Sequence, residues 1–330
     1  MNKRQKNILN YVIGPVLFVW LSYSIYRQVQ HQTDVQNSWD QILHAFKQFN
    51  RWELFAAIAL MFVNWGLEAR KWQLQIKGIE QIGFFNAFRS ILAGQALGFN
   101  TINRIGESAG RAAFLHEGNR LRGVVLSFVG SMAQIIATFV MGAIALLYMR
   151  IFILDENTEL KGLSIFWLDG LIYVITGGVI LFTLAYFKLA GLIELLEKIP
   201  LVAKYRFLVE KLEDFHWKEL THILVLSFLR YSVFIVQYIL LMHLFNVAIF
   251  WLDAAALVGV MLLVMAIIPT VTLAELGFRG KLSLLLFGMV STNAVGIIAT
   301  AAGIWLINLI LPAIAGSLFI LGVRIFRNSK

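Results

Sequence analysis

Two short charged segments, each inside an otherwise apolar stretch, decide how this chain can fold. The first motif is NRIGESAGR at residues 103–111, and the second motif is PTVTLAELGFRGK at residues 269–281. Each places a glutamate four residues before an arginine, with glycines beside the pair. The glutamates Glu107 and Glu275 lie 168 positions apart, which is about half of the chain. A charged group in hydrocarbon costs about 2.5–3.5 kcal/mol. Because this chain carries charged groups at matching places in its two halves, we expect both segments to have a functional role.

Composition predicts a multi-pass helical membrane protein. Hydrophobic residues make up 59% of the chain, charged residues 14%, and the mean hydropathy is +0.75. A spanning segment must satisfy its own backbone hydrogen bonds, so only helices and closed barrels cross a bilayer. The apolar runs have the length of a spanning helix, about 18–25 residues, and lack the alternation of barrel strands. We therefore predict an all-α helical membrane bundle that forms a single integral membrane domain over residues 1–330.

Several functional classes are excluded by composition and by the motifs the sequence lacks. The net charge of +9 comes from basic residues in short loops, which is typical of topology signals and anionic headgroups, not of nucleic-acid binding. The chain has no cysteine, and its six histidines show no metal-ligand spacing. It contains no phosphate-binding P-loop, nucleophile elbow or HExxH sequence. We therefore expect no catalytic residues, no metal and no cofactor, and a protein that is not an enzyme.

Six apolar runs are predicted to be full spans, and two longer stretches are interrupted by the charged motifs. The predicted spans are 8–26, which we interpret as a retained first helix, 52–69, 123–148, 170–187, 220–245 and 294–323. The interrupted stretches 84–116 and 253–291 are predicted to be broken or re-entrant helical hairpins. Two ordinary helix–loop–helix pairs with charged loops are the alternative.

The distribution of lysine and arginine predicts the orientation. With the N-terminus in the cytoplasm, 20 of the 28 basic residues fall in cytoplasmic segments and five in the opposite loops. This bias predicts a cell (inner) membrane protein with both termini cytoplasmic. The first hairpin must then enter from the cytoplasmic side and the second from the outer side. One hairpin from each face gives an inverted repeat with halves of roughly 1–165 and 166–330, a layout that places transporter substrate sites near the midplane.

Segment 188–218 differs from the rest of the chain because it is rich in charge. It holds six basic and five acidic residues, with apolar residues at roughly helical spacing. The pattern predicts a pair of amphipathic helices at the cytoplasmic membrane surface, and a plain connecting loop is the alternative.

The first motif has the residue types that bind phosphate. Arg104 and Arg111 offer planar guanidinium groups that match phosphate oxygens. Gly106 permits a tight turn, and a half-helix that begins near it adds partial positive charge. Glu107 is placed to pair with Arg111 four residues on, or to meet an amine of a substrate. The alternative is an internal Glu–Arg pair that only lets a loop fold back.

The second motif repeats this pattern. Pro269 is expected to end the preceding helix, because proline lacks a backbone donor. Glu275, Gly277 and Arg279 then follow as a second candidate binding segment. The same internal-pair alternative applies.

Arg230 is a third charged position at depth. It lies near the middle of span 220–245, too deep to reach the interface easily, so we expect it to face the protein interior and to pair with Glu107 or Glu275. Five further polar residues are candidates to line a cavity or to form ordinary interhelical hydrogen bonds: Asn64, Glu68, Gln95, Gln134 and Asn308.

These motifs resemble those of a known family, the flippase-like membrane domain of lysylphosphatidylglycerol synthases and its stand-alone relatives. The resemblance covers essentially the whole chain, in length, hydropathy and motif order. It implies an integral helical bundle associated with moving lipids between leaflets. The matching positions are Arg104, Gly106, Glu107 and Arg111 in the first motif, and Pro269, Gly277 and Arg279 in the second.

The chain departs from the family pattern at two places. Ile102 and Asn103 stand where the family often has a proline, and Gly280 stands where an acid often follows the arginine, while Glu275 lies earlier. The sequence also lacks the soluble aminoacyl-transferase domain of the synthases, so we do not expect this chain alone to add lysine to a lipid.

We therefore expect a flippase-like transporter that moves an anionic phospholipid or polyprenyl-phosphate headgroup, bound by Arg104, Arg111, Arg230 and Arg279. With no ATP site, energy must come from a gradient, from downhill scrambling or from a partner. One alternative is a membrane enzyme that acts on a lipid-linked substrate with Glu107 or Glu275 as general base. Another is a non-transporting scaffold that recruits a protein partner through 188–218.

Overall fold

The computed structural model describes residues 51–99, 104–154, 165–196, 206–268 and 272–321, together with residues 23, 101 and 198. The helices are α1 Arg51–Ile76, α2 Phe84–Gly98, α3 Gly106–Ala112, α4 Arg120–Tyr148, α5 Ile165–Phe187, α6 Leu189–Leu196, α7 Arg206–Glu213, α8 Trp217–Leu244, α9 Trp251–Ile267, α10 Thr272–Phe287, α11 Ala294–Trp305 and α12 Leu311–Leu321. A π-helical turn, Met149–Ile153, extends α4, and another, Leu306–Ile310, joins α11 to α12. The predicted all-α architecture is confirmed.

Within these described ranges, five helical segments are long and apolar enough to cross a membrane. They are Trp52–Ile76, Glu117–Ile153, Leu168–Phe187, Trp217–Leu244 and Ala294–Ile320. They correspond to five of the six predicted spans. The sixth, 8–26, lies outside the described residues, as does Pro269.

Helices α1 and α8 form an antiparallel pair through polar contacts spread along their length. At one end Glu53 contacts the ring of His243. Further along, the Gln237 side chain donates to the carbonyl of Ala57 at 2.8 Å. Near the other end Lys71 lies 3.4 Å from the hydroxyl of Ser227. These contacts fix the relative height of the two helices, which matters because both carry charged residues at mid-length.

The first interrupted stretch folds as a hairpin with both ends at one end of the bundle. At a rise of about 1.5 Å per residue, α2 is about 22 Å long and α3 about 10 Å, so neither spans a hydrocarbon core of about 30 Å. The turn before α2 meets the turn after α3, where Glu80 accepts from the backbone amide of His116 at 3.0 Å. A Cβ at Gly110 would lie 2.6 Å from the Cα of Gly94, so the two helices are in backbone contact.

The second interrupted stretch is a hairpin at the opposite end of the bundle. Helix α9 starts there, where Asp253 accepts from the Tyr148 hydroxyl at 3.0 Å beside the end of α4. Helix α10 returns to the same end, because Asn293, in the turn after it, donates to the carbonyl of Phe245 at 3.1 Å. The last residues of α9 and the first turns of α10 therefore lie at the depth of Asn64 and Arg230. Two hairpins therefore enter from opposite ends, as predicted, and the division of the chain into two inverted repeats stays a prediction.

Segment 188–218 contains two short helices, α6 and α7, as its amphipathic pattern predicts. Ile193 of α6 and Leu212 of α7 are buried in one apolar cluster with Leu126 of α4 and Ile223 of α8. Their apolar faces therefore pack against the helical bundle. Contact with a membrane surface stays a prediction.

Candidate functional site

A cavity of about 590 Å³ lies where the two hairpin breaks meet the long helices. Its lining residues come from α1, α4, α8, α9 and α10 and from the break before α3: Asn64, Arg104, Gln134, Ile135, Thr138, Arg230, Tyr231, Phe234, Leu262, Met265, Ala266, Ile267, Ile268, Glu275 and Arg279. Asn64, Gln134 and Arg230 each lie near the middle of a spanning helix. The cavity is therefore at mid-depth in the bundle, and its walls are partly charged and partly apolar.

Arg230 faces the protein interior, as expected, but its partner differs from the one predicted. It contacts Glu68 of α1 and donates to the Asn64 side chain at 2.7 Å. The expected pairing with Glu107 or Glu275 is wrong, because the antiparallel packing of α1 on α8 places Glu68 at the height of Arg230.

Glu68 contacts three cations at once. Its Oε2 lies 2.8 Å from Lys71 Nζ, its Oε1 lies 2.7 Å from Arg111 Nη1, and Arg230 completes the set. The Glu68 side chain is only 3% exposed. Desolvated carboxylates are stable only when paired, and here one carboxylate holds α1, α3 and α8 together.

The first motif forms a second part of the same ion-pair network. Glu107 lies 3.1 Å from Arg111 and 2.8 Å from Arg104, so the predicted four-residue pair exists. Gln95 of α2 donates to Glu107 at 2.8 Å and accepts from Arg104. Arg104 has a backbone φ of 58°, a left-handed conformation that marks the break between α2 and α3. This break turns the Arg104 side chain toward the cavity.

The second motif contributes a separate ion pair to the cavity wall. Arg279 donates to Glu275, four residues earlier on α10, and to the Tyr238 hydroxyl at 2.6 Å. Arg279 is 4% exposed, and its Nε has no hydrogen-bond partner among the residues that the structure describes. Arg279 is therefore a buried cation of the cavity wall, held by Glu275 and Tyr238.

Four of the eight predicted site residues line the cavity: Arg104, Arg230, Glu275 and Arg279. Glu107 and Arg111 lie behind them, in the ion-pair network. Gly106 begins α3 as expected, but its amide already donates to the Thr101 hydroxyl at 3.0 Å, so it is not free to bind phosphate. Gly277 lies on an exposed face of α10, where an added Cβ would meet no described heavy atom within 4 Å.

The sequence did not lead us to select Lys71, and it indicated Glu68 only as a candidate to line a cavity or to form an interhelical hydrogen bond. Both are almost fully buried although they stand one helical turn apart near the end of a span, where charge usually faces water. Trp65 and Trp72, which flank the pair, are buried as well, but tryptophan is also typical of membrane interfaces, so the sequence carries no clear signal for this burial. Asn64 and Gln134 line the cavity as proposed, whereas Asn308 bonds within its own helix to the carbonyl of Ile304 at 3.4 Å.

The fold and the cavity define a multi-pass helical membrane protein in which two broken hairpins and a mid-depth charged cluster surround one cavity. The chain belongs to the family described as the lysylphosphatidylglycerol synthase TM region, whose model matches residues 7–316. No curated protein matches the chain. The resemblance expected from the two motifs is thereby confirmed, and family membership indicates a role connected with membrane lipids.

Proposed function

We propose that this protein moves the headgroup of an anionic lipid across the bilayer while the lipid tails stay in hydrocarbon. The observation that carries the proposal is the mid-depth cavity onto which Arg104, Arg230 and Arg279 all open. A membrane protein that maintains three guanidinium groups at this depth does so against a substantial free-energy cost.

The chemistry of the cavity walls suits a molecule with one anionic part and one apolar part. Guanidinium groups bind phosphate oxygens through paired, charge-assisted hydrogen bonds. The other walls carry Ile135, Phe234 and Met265, which suit hydrocarbon and not a fully water-soluble anion. A lipid headgroup with its attached tails has both parts.

The hairpin arrangement supports a transport cycle. Arg104 comes from a break in a hairpin that enters at one end, and Arg279 comes from a hairpin that enters at the other. In transporters of this layout, opposite halves rock around a fixed mid-depth site, so that the site faces each side in turn. Energy comes in this proposal from a gradient, from downhill movement or from a partner, since the sequence has no ATP-binding loop.

The proposal does not require bond chemistry from this chain. Glu107 and Glu275, the two carboxylates considered as general bases, are each held in an arginine pair that a reacting group would have to displace. We propose transport without catalysis. Purified protein incubated with lipid-linked substrates is therefore expected to form no product.

The test is leaflet exchange of a fluorescent anionic lipid in liposomes that contain the purified protein. Arg230→Gln and Arg279→Gln are expected to slow exchange at least about tenfold, because each removes a cation that contacts the headgroup. Lys281→Gln is the matched control: it removes one charge from an exposed position on the same helix, two residues from Arg279 and outside the cavity lining. Exchange no faster than in protein-free liposomes, or unchanged exchange in both folded arginine variants, contradicts the proposal.

A further inference from the structure

The positive and negative charges of the ionised side chains around the cavity are not equal in number. With every group in its ordinary charge state, the cavity wall and the ion-pair network behind it hold five cations and three anions. The cations are Lys71, Arg104, Arg111, Arg230 and Arg279, and the anions are Glu68, Glu107 and Glu275. The cluster therefore has a net charge of +2 before any ligand binds.

Each of the three carboxylates is already ion-paired with at least one of these five cations. Glu68 is shared by three of them, Glu107 by two, and Glu275 pairs with Arg279. In the described part of the chain, every salt bridge of the five cations goes to one of these acids. Their shared pairing leaves an excess of two positive charges that no described side chain neutralises.

The excess charge is located where a ligand can reach it. Arg104, Arg230 and Arg279 open onto the cavity, whereas Lys71 and Arg111 are turned away from it toward Glu68. Uncompensated charge removed from water is destabilising, so binding an anion of matching charge in the cavity is favourable.

We propose that the headgroup this cavity accepts ends in a phosphomonoester with a charge close to −2, and not in a phosphodiester with one charge. A phosphomonoester carries a charge of about −1.5 to −2 at neutral pH and has three terminal oxygens, which matches both the excess charge and the three arginines. A phosphodiester leaves one positive charge of the cluster uncompensated. The lipid part of this inference rests on the proposed transport function, whereas the charge part rests on the geometry alone.

The test compares two lipids with the same tails, one ending in a phosphomonoester and the other in a phosphodiester that carries an added glycerol. Binding of phosphatidic acid and of phosphatidylglycerol with identical acyl chains is measured on the purified full chain in detergent, at pH 7.5 and constant ionic strength. We expect phosphatidic acid to bind about tenfold more tightly, because its second charge meets an unpaired cation. Glycerol 3-phosphate, a soluble phosphomonoester, and a zwitterionic phosphatidylcholine are measured beside them.

Variants that change the net charge of the cluster should change the ratio of the affinities for phosphatidic acid and phosphatidylglycerol, in a direction that depends on the sign of the charge removed. Arg279→Gln lowers the net charge of the cluster to +1 and should reduce the ratio of the two affinities toward one. Glu275→Gln raises the net charge to +3 and should increase the ratio. Lys281→Gln, which removes an exposed charge outside the cavity, should leave the ratio unchanged.

The outcomes separate this inference from the proposed function. Phosphatidylglycerol binding as tightly as phosphatidic acid to the wild-type chain overturns the phosphomonoester inference and leaves lipid transport standing. Neither anionic lipid binding better than phosphatidylcholine contradicts both. Glycerol 3-phosphate binding as tightly as phosphatidic acid supports the charge match but contradicts a lipid substrate.

Discussion

At the scale of single residues, Glu68 organises the polar interior. One carboxylate forms ion pairs with Lys71, Arg111 and Arg230, which come from three different helices. Removing one member of a buried ionic cluster is far more damaging than removing a surface pair, because the remaining charges keep their desolvation cost without compensation.

Glu68→Gln is therefore expected to lower the free energy of unfolding by about 3–5 kcal/mol. The matched control is Glu210→Gln, which breaks a half-exposed pair with Arg122 at 3.4 Å and should lower it by less than about 1 kcal/mol. Thermal unfolding of the purified variants in detergent measures both. Equal losses in the two variants would show that the Glu68 contacts do not stabilise the folded state.

Residue-level prediction from sequence succeeded where partners are close in the chain. The pairs Glu107–Arg111 and Glu275–Arg279 follow from the four-residue periodicity of a helix, and both exist. The pairing of Arg230 with Glu68 joins residues 162 positions apart, and it depends on which helices touch and at what height. Spacing along the chain carries no information about that contact.

At the scale of helices, the first hairpin depends on close backbone approach as much as on charge. Interrupted hydropathy predicts where the breaks lie, since polar backbone at membrane depth is stable only around a cavity or inside protein. The left-handed backbone of Arg104 and the contact of Gly94 with Gly110 were not predicted. Both depend on how α2 and α3 lie against each other, which a single sequence does not specify.

The contact between α2 and α3 gives a direct test. In Gly110→Ala the new Cβ would lie 2.6 Å from the Cα of Gly94, and backbone atoms cannot move aside as a flexible side chain can. We expect a loss of about 1–3 kcal/mol in the free energy of unfolding. Gly178→Ala in α5, where no described atom lies within 4 Å, should be neutral or stabilising by up to about 1 kcal/mol. A neutral Gly110→Ala variant is incompatible with this packing.

The turns that close the first hairpin predict a pH effect outside the spanning segments. Burial raises the pKa of Glu80, but hydrogen bonds from Asn119 and from the backbone and ring of His116 outweigh it, so the pKa lies below its ordinary value. A lowered folded-state pKa adds stability that is present at neutral pH and is lost as the pH falls through that pKa.

Glu80→Gln should therefore be less stable than wild type at pH 7, by no more than about 1 kcal/mol because the site is partly exposed. The difference should shrink as the pH falls below the ordinary range of a glutamate pKa, because the wild-type carboxyl is then protonated first in the unfolded chain and, at lower pH, in the folded protein. Unfolding temperatures measured from pH 7 to pH 3.5 provide the test. A difference that stays constant across this range would exclude a role for the Glu80 charge.

At the scale of the whole molecule, the hairpin ends predict which surface faces which compartment. The first hairpin closes at the end of the bundle where basic loops collect, and the second closes at the other end. The chain contains no cysteine, so any introduced thiol is the only one present. The orientation of the protein in the membrane can therefore be tested by labelling single introduced cysteines.

Gly118→Cys and Thr292→Cys place single thiols at exposed positions beside the two hairpins. If the basic end is cytoplasmic, as the distribution of lysine and arginine predicts, a membrane-impermeant maleimide added to intact cells should label Thr292→Cys and spare Gly118→Cys. Permeabilised cells provide the control, in which both should react. The reverse pattern would invert the topology, and labelling of both in intact cells would contradict hairpins from opposite faces.

The fixed positive cluster at mid-depth also exposes the protein to the electrical potential of its membrane. Carrying one elementary charge through a potential of 100 mV changes the free energy by about 2.3 kcal/mol. A cavity filled by a matching dianion is electrically neutral, and the same cavity when empty is not. In the proposed transport cycle, voltage therefore acts on the return of the unloaded protein, and the membrane potential is expected to bias which side the vacant site faces.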